Sequence, residues 1–156
     1  MKKKIIGYSF ILFIIDLVSK LIIDRNLMLN ETISIINDFF SITKVYNTGA
    51  SFSMLMGYKY LFIIIAIIVI YLFYKSIDNF KSNKRNIIAF SLTIGGIFGN
   101  LIDRVFYGYV IDFFDFKLFG ENMPIFNFAD TFICIGVALF FYAILKKEDN
   151  YEVNSK

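Results

Sequence analysis

The 156-residue chain is 58% hydrophobic and 19% charged, with a mean hydropathy of +0.66 and a net charge of +3. Soluble domains carry about 25% charged residues, so this composition excludes an ordinary water-soluble globule and points to the bilayer as solvent. One cysteine and no histidine exclude an internal disulfide, a cysteine-cluster metal site, and Ser-His-Asp or Cys-His catalysis.

The first apolar segment, residues 5–23, follows Lys2, Lys3 and Lys4. It reads as an uncleaved membrane span, because no small-residue cleavage site follows and Asp16 and Lys20 interrupt the apolar core. Residues 24–58 form a first outer segment. Its stretch "ETISIINDFFSITKVYNTGASFSML" mixes β-branched, aromatic and polar residues, which predicts short strands on the membrane surface. Ile35-Ile36 and Phe39-Phe40 break strict alternation there. A second span covers residues 59–75, with Lys59 and Lys75 able to snorkel. A third covers 86–103, a connecting segment covers 104–123, and a fourth span covers 124–145. Each is long enough, or nearly so, for the roughly 20 residues a crossing helix needs. The tail 146–156 is polar and reads as disordered. The fold class expected is therefore mainly α, a single four-span membrane domain with a small extracytoplasmic β-cradle, the cradle being implied by the family resemblance described below.

Basic residues set the orientation. Lys2, Lys3 and Lys4, then Lys75, Lys81, Lys84 and Arg85, then Lys146 and Lys147 fall in the N-terminus, the loop between the second and third spans, and the tail. An excess of Lys and Arg marks the cytoplasmic side, so both termini are expected there. No basic patch interleaves with aromatics in a polar segment, which argues against nucleic acid as a partner.

Ionisable residues within spans are rare and usually functional. Asp16 and Lys20 lie four apart on one helical face and can pair. Ser19 and Lys20 are neighbours, but adjacent helical positions point about 100° apart, a poor geometry for a Ser–Lys pair. Asn100 and Asp103 share a face at the end of the third span, and Arg104 is free to pair with an acid from another helix. Cys134, in an apolar run, reads as a small buried hydrophobe.

Asp112 and Asp130 differ from these: each follows apolar residues and neither has a basic partner at helical spacing. Gly108 allows the chain to turn back, so the two acids are expected to meet near the outer membrane surface. Two carboxylates in hydrogen-bonding reach share a proton, which suits peptide hydrolysis without histidine or metal. Spacing alone leaves a small transporter or ion path open, since intramembrane acids also line such paths. A scaffold without catalytic activity also remains open.

The motifs "DLVSK" (16–20), "NTGASF" (47–52), "GNLIDRVFYGYVIDFFDF" (99–116) and "FNFAD" (126–130) are similar to those of bacterial lipoprotein signal peptidase, the signal peptidase II family. The resemblance spans about residues 5–145. It implies a four-span intramembrane aspartic endopeptidase that cuts prolipoproteins on the N-terminal side of a diacylglyceryl-modified cysteine, with Asp112 and Asp130 as its catalytic pair. It further implies supporting or substrate-binding roles for Asp16, Lys20, Asn47, Gly49, Asn100, Asp103, Arg104 and Asn127, with Ala50 and Ala129 also matching the pattern. No cofactor or metal is implied. The partners expected are lipid-modified prolipoprotein substrates and membrane lipid, with the chain a monomer in the bacterial cytoplasmic membrane and its site near the outer surface. Leu17 and Tyr46 depart from the family's usual Gln and Arg. Phe113, Phe114, Phe126 and Phe128 are candidates for apolar substrate walls, and Asp115 reads as an ordinary surface acid.

Overall fold

The computed structural model describes residues 1–49 and 57–149; Ala50, the remainder of the "NTGASF" motif and the tail from 150 onward lie outside them. Four helices carry the architecture: α1 (Lys2–Asn26), α2 (Lys59–Ser76), α3 (Lys84–Phe106) and α4 (Phe128–Leu145). By length and hydropathy all four are able to cross a membrane. Four strands, β1 (Thr32–Ile36), β2 (Phe40–Asn47), β3 (Val110–Leu118) and β4 (Glu121–Asn122), form an antiparallel sheet in the order β1-β2-β3-β4.

α3 is the central helix, packed along α1 and α4, whereas α2 leans on α3 and buries none of its residues. A helix apolar all round and unburied by protein is one solvated by lipid. In lipid the attraction between helices comes from close van der Waals packing, which small residues permit. α3 supplies "GGIFG". A Cβ on Gly96 would stand 2.5 Å from the Ala129 carbonyl oxygen, and one on Gly99 would stand 2.5 Å from Asp16 Oδ2. The first contact seats α4 and the second admits a buried acid from α1. At the other end of the bundle, Phe73, Phe80, Phe90 and Phe140 interlock edge to face, with centroids from 4.4 to 6.2 Å apart, and bind α2 to α3 and α4.

The sheet explains the broken alternation in the first outer segment. A register shift between Ser34 and Ile36 removes Ile35 from the ladder, and Asn37–Phe39 form the turn into β2, with Asp38 at φ 54°. Strand β3 arises from the connecting segment, for which no strand was expected. Tyr107 caps α3 and Gly108 at φ +82° turns the chain back, so Val110 onward pairs with β2. Its first four residues are buried, and a strand covered on both faces shows no period-two signal. The ladder slips between Ile42 and Val45, so that Thr43 and Lys44 together oppose Phe113.

Gly96→Ala is expected to destabilise the protein by about 1–3 kcal/mol, because the obstructing atom is backbone. Gly7→Ala, where an added Cβ meets nothing within 4 Å, is expected to be near neutral. Unfolding in mixed detergent micelles measures both.

Candidate active site

Building the site begins with Lys20. The residue is 1% exposed, and an ammonium has three donors and no acceptor. All three find oxygens: Asp16 Oδ2 at 2.7 Å, Asp103 Oδ2 at 2.9 Å and Asn100 Oδ1 at 2.9 Å. The expected pairing of Asp16 with Lys20 is present, and Asp103 and Asn100 join it from α3. Ser19 turns away and donates to its own helix, at the Asp16 carbonyl, 2.6 Å, which removes the Ser–Lys arrangement. The other oxygen of Asp16 accepts the Ala129 N–H at 2.9 Å. Ala129 lies in the first turn of α4, where unpaired N–H groups and the positive end of the dipole favour an anion.

Asn127 is the second organiser. It is the N-cap of α4: its Oδ1 accepts the Asp130 N–H at 2.9 Å, and Asp130 Oδ2 accepts the Asn127 N–H at 3.2 Å. This reciprocal capping box is the physical content of the "NFAD" spacing. The amide end of Asn127 donates to Asp112 Oδ1 at 2.7 Å and to Asn100 Oδ1 at 3.2 Å. Asn100 in turn donates to Asp130 Oδ1 at 2.8 Å. Asp112 is brought to this point because Phe113 and Phe114 of β3 both donate to the Phe126 carbonyl, which sets Asn127 beside the strand. From the other side Asn47 donates to Asp112 Oδ2 at 2.9 Å, and its Oδ1 accepts the Gly49 N–H at 2.9 Å.

Arg104 does not pair with an acid at contact distance among the described residues. Its guanidinium donates to the Gly49 carbonyl at 2.9 Å and the Asn100 carbonyl at 3.3 Å, and lies over the Phe62 ring of α2 at 4.9 Å. Of the residues singled out in the sequence, Asp16, Lys20, Asn47, Gly49, Asn100, Asp103, Arg104, Asp112, Asn127 and Asp130 form one connected polar network. Asp115 lies outside it, accepting the Thr43 hydroxyl at 2.7 Å on the sheet.

A cavity of about 710 Å³ opens onto both Asp112 and Asp130. Asn47, Arg104 and Thr131 add polar edge, while Phe116, Leu118, Met123, Ile125, Phe126 and Ile135 supply apolar wall. Two expectations change here. Cys134 is exposed and lines this cavity, because it sits one turn below Asp130 on the same face of α4. Of the four phenylalanines proposed as walls, Phe126 lines the cavity, whereas Phe113, Phe114 and Phe128 pack on one another. The Phe116, Leu118 and Met123 contribution follows from strand β3 and its hairpin; the alternation Phe114-Asp115-Phe116-Lys117-Leu118 is the signal that could have found the strand.

Asp112 is 3% exposed. Burial, reinforced by the nearby charge of Asp130, pushes its carboxyl from an ordinary 3.8 up to about 7, against the opposing pull of Asn47, Asn127 and Lys20. Each carboxyl accepts N–H donors on both oxygens, Asp112 from Asn127 and Asn47 and Asp130 from Asn100 and the Asn127 backbone, so hydrogen bonding alone does not distinguish them and the upward shift marks Asp112 as a proton holder near neutrality. Such a pair has one acid and one base in reach of the same cavity.

Residues 8–146 match the family model described as signal peptidase (SPase) II. A lipoprotein signal peptidase of Halothermothrix orenii is 39% identical over 140 residues, covering 88% of this chain and 92% of the relative. One from Staphylococcus aureus is 40% identical over 154 residues, covering 96% and 94%. A solved bacterial membrane enzyme, determined by the in meso method at 2.3 Å resolution, superposes with a TM-score of 0.83 at 35% identity over 97% of this chain and 91% of that one.

Lys20→Met is expected to cost about 3–5 kcal/mol, because it leaves two buried carboxylates uncompensated; micelle unfolding measures the loss. The Asp112 shift has a second consequence. Between pH 3.8 and about 7 the folded state holds a proton that the unfolded chain releases, so stability falls as pH rises through this window. The slope should shrink in Asp112→Asn, read from unfolding midpoints at several pH values.

Proposed function

The chain belongs to the signal peptidase II family, and on that premise we propose that Asp112 and Asp130 are the catalytic pair with which it removes signal peptides from lipid-modified prolipoproteins. The observation that carries this is the bonding of the buried Asp112 and the half-buried Asp130 to Asn127 at the head of one largely apolar cavity.

The division of labour is assigned from the upward shift of the buried Asp112 carboxyl. Asp130, ionised, takes a proton from a water molecule as its oxygen attacks the scissile carbonyl carbon. Asp112, protonated, gives its proton to the carbonyl oxygen, and a tetrahedral diol forms. In collapse, Asp112 takes a proton back from a diol hydroxyl. Asp130 passes its own to the departing amine as the C–N bond breaks. The products are the C-terminal carboxylic acid of the signal peptide, which then loses its proton to water, and the free amine of the lipidated cysteine. Asn47, Asn100 and Asn127 hold the two carboxylates throughout, Lys20 balances the acids behind them, and Arg104 fixes the Gly49 carbonyl at the rim.

The remaining assignments rest on charge and composition. We take residues 1–145 as a single four-span unit in the bacterial cytoplasmic membrane, with both termini inside, in keeping with the basic residues before α1, between α2 and α3, and after α4. The dyad then lies near the outer surface, where a substrate helix entering laterally presents its lipidated cysteine. All ten network residues come from one chain, which suits action as a monomer.

Asp112→Asn and Asp130→Asn are each expected to reduce cleavage of a diacylglyceryl-modified precursor at least ~10³-fold while the protein still accumulates in the membrane. Full activity in either variant would sink the pair. Because Asp112 must be protonated to act, wild-type kcat/KM should decline as pH rises through about 7, measured on a lipopeptide substrate in nanodiscs.

A further inference from the structure

Lys44 is 5% exposed and sits in the β2 bulge. Bulges re-aim side chains, and this one sends an ammonium to the end of α1. Lys44 Nζ reaches Asp24 Oδ1 at 2.8 Å, the Asp24 carbonyl at 2.9 Å and the Leu27 carbonyl at 3.0 Å. The last carbonyls of a helix lack partners within it, and the negative end of its dipole favours a cation. Two residues along β2, Tyr46 donates to the same Asp24 Oδ1 at 3.0 Å, and its ring stacks on Tyr109 with centroids 4.0 Å apart. Tyr109 directly precedes β3, Val45 pairs with Asp112 across the ladder, and Asn47 donates to Asp112. None of Asp24, Lys44, Tyr46 and Tyr109 lines the active-site cavity.

We propose that Lys44, through Asp24 and together with Tyr46, is a positioning residue for peptide cleavage: it fastens β2 to the end of α1 and so holds the Asn47 amide against Asp112. α1 then reaches the catalytic strand by two routes, through Lys20 from within the bundle and through Asp24 at its rim. The inference rests on the reading of Asp112 as a member of the catalytic pair. The other charges facing Asp112 are Asp130 on α4, Lys20 on α1 and Arg104 on α3, and substitution at Lys44 removes none of them.

The test compares wild type, Lys44→Met, Tyr46→Phe, Asn47→Ala and the double variant Lys44→Met/Asn47→Ala in nanodiscs. The first readout is the Asp112 carboxyl titration, followed by difference infrared spectroscopy against Asp112→Asn, which needs no turnover. Asn47 donates to the anion, so a loosened Asn47 raises the titration midpoint. Lys44→Met is expected to move it upward in the direction of Asn47→Ala, with no further movement in the double variant. On a lipopeptide, kcat should fall between ~10- and ~100-fold with KM within about twofold. Tyr46→Phe removes one bond of the clamp and keeps the stack, so it serves if Lys44→Met fails to fold, with a smaller shift of the same sign. An unmoved midpoint, with only the melting temperature lowered, would overturn the clamp. If the midpoint moves while Asp112→Asn keeps its activity, the clamp stands and the catalytic pair falls.

Discussion

Everything around the cavity depends on one ammonium that has no water to turn to. Lys20 is supplied with three oxygens from Asp16, Asp103 and Asn100, and each is a constraint on a different part of the bundle. Asp16 spends its other oxygen on the N-terminus of α4, Asp103 fixes the end of α3, and Asn100 turns its amide to Asp130. Removing a charge from water is costly, and only a full set of partners offsets that cost. Here the partners are also the frame of the site.

The two asparagines link this frame to the two acids of the cavity. An amide can donate and accept at once, and both do so. Asn100 accepts from Lys20 and gives to Asp130; Asn127 accepts from the α4 backbone and gives to Asp112. Asp112 and Asp130 are therefore held by neutral groups, with cations kept a step behind. That arrangement allows a carboxyl in this pocket to retain a proton near neutral pH, where a direct contact with Lys or Arg would strip it.

Much of this was legible in the chain, for definable reasons. Apolar runs flanked by lysines declare helices in lipid, and an acid four residues from a lysine declares its partner. The "NFAD" spacing carried the helix cap, although its dual use became plain only from the hydrogen bonds. What stayed hidden came from the sheet. The first half of β3 is buried on both faces and lacks alternation, which masked the short alternating run Phe114–Leu118 that supplies the cavity wall. The bulge that redirects Lys44 depends on pairing with a strand more than sixty residues away. Cys134 was misread because an apolar neighbourhood in sequence says nothing of which helix face looks onto a groove. Arg104 found a carbonyl and a ring where an acid was expected, because Lys20 pairs with Asp103 and asparagine amides occupy Asp112 and Asp130.

The bond between Asp16 and the Ala129 N–H joins positions 113 residues apart in the chain. At about 5–20 residues per second of synthesis, α1 waits on the order of ten seconds after its own emergence before that partner exists, and Asn100 and Asp103 are late as well. Throughout that interval the only group in α1 able to neutralise Asp16 is Lys20, one turn away. The pairing that later anchors the polar network thus first serves the nascent helix as a travelling companion, letting two charges enter the bilayer together.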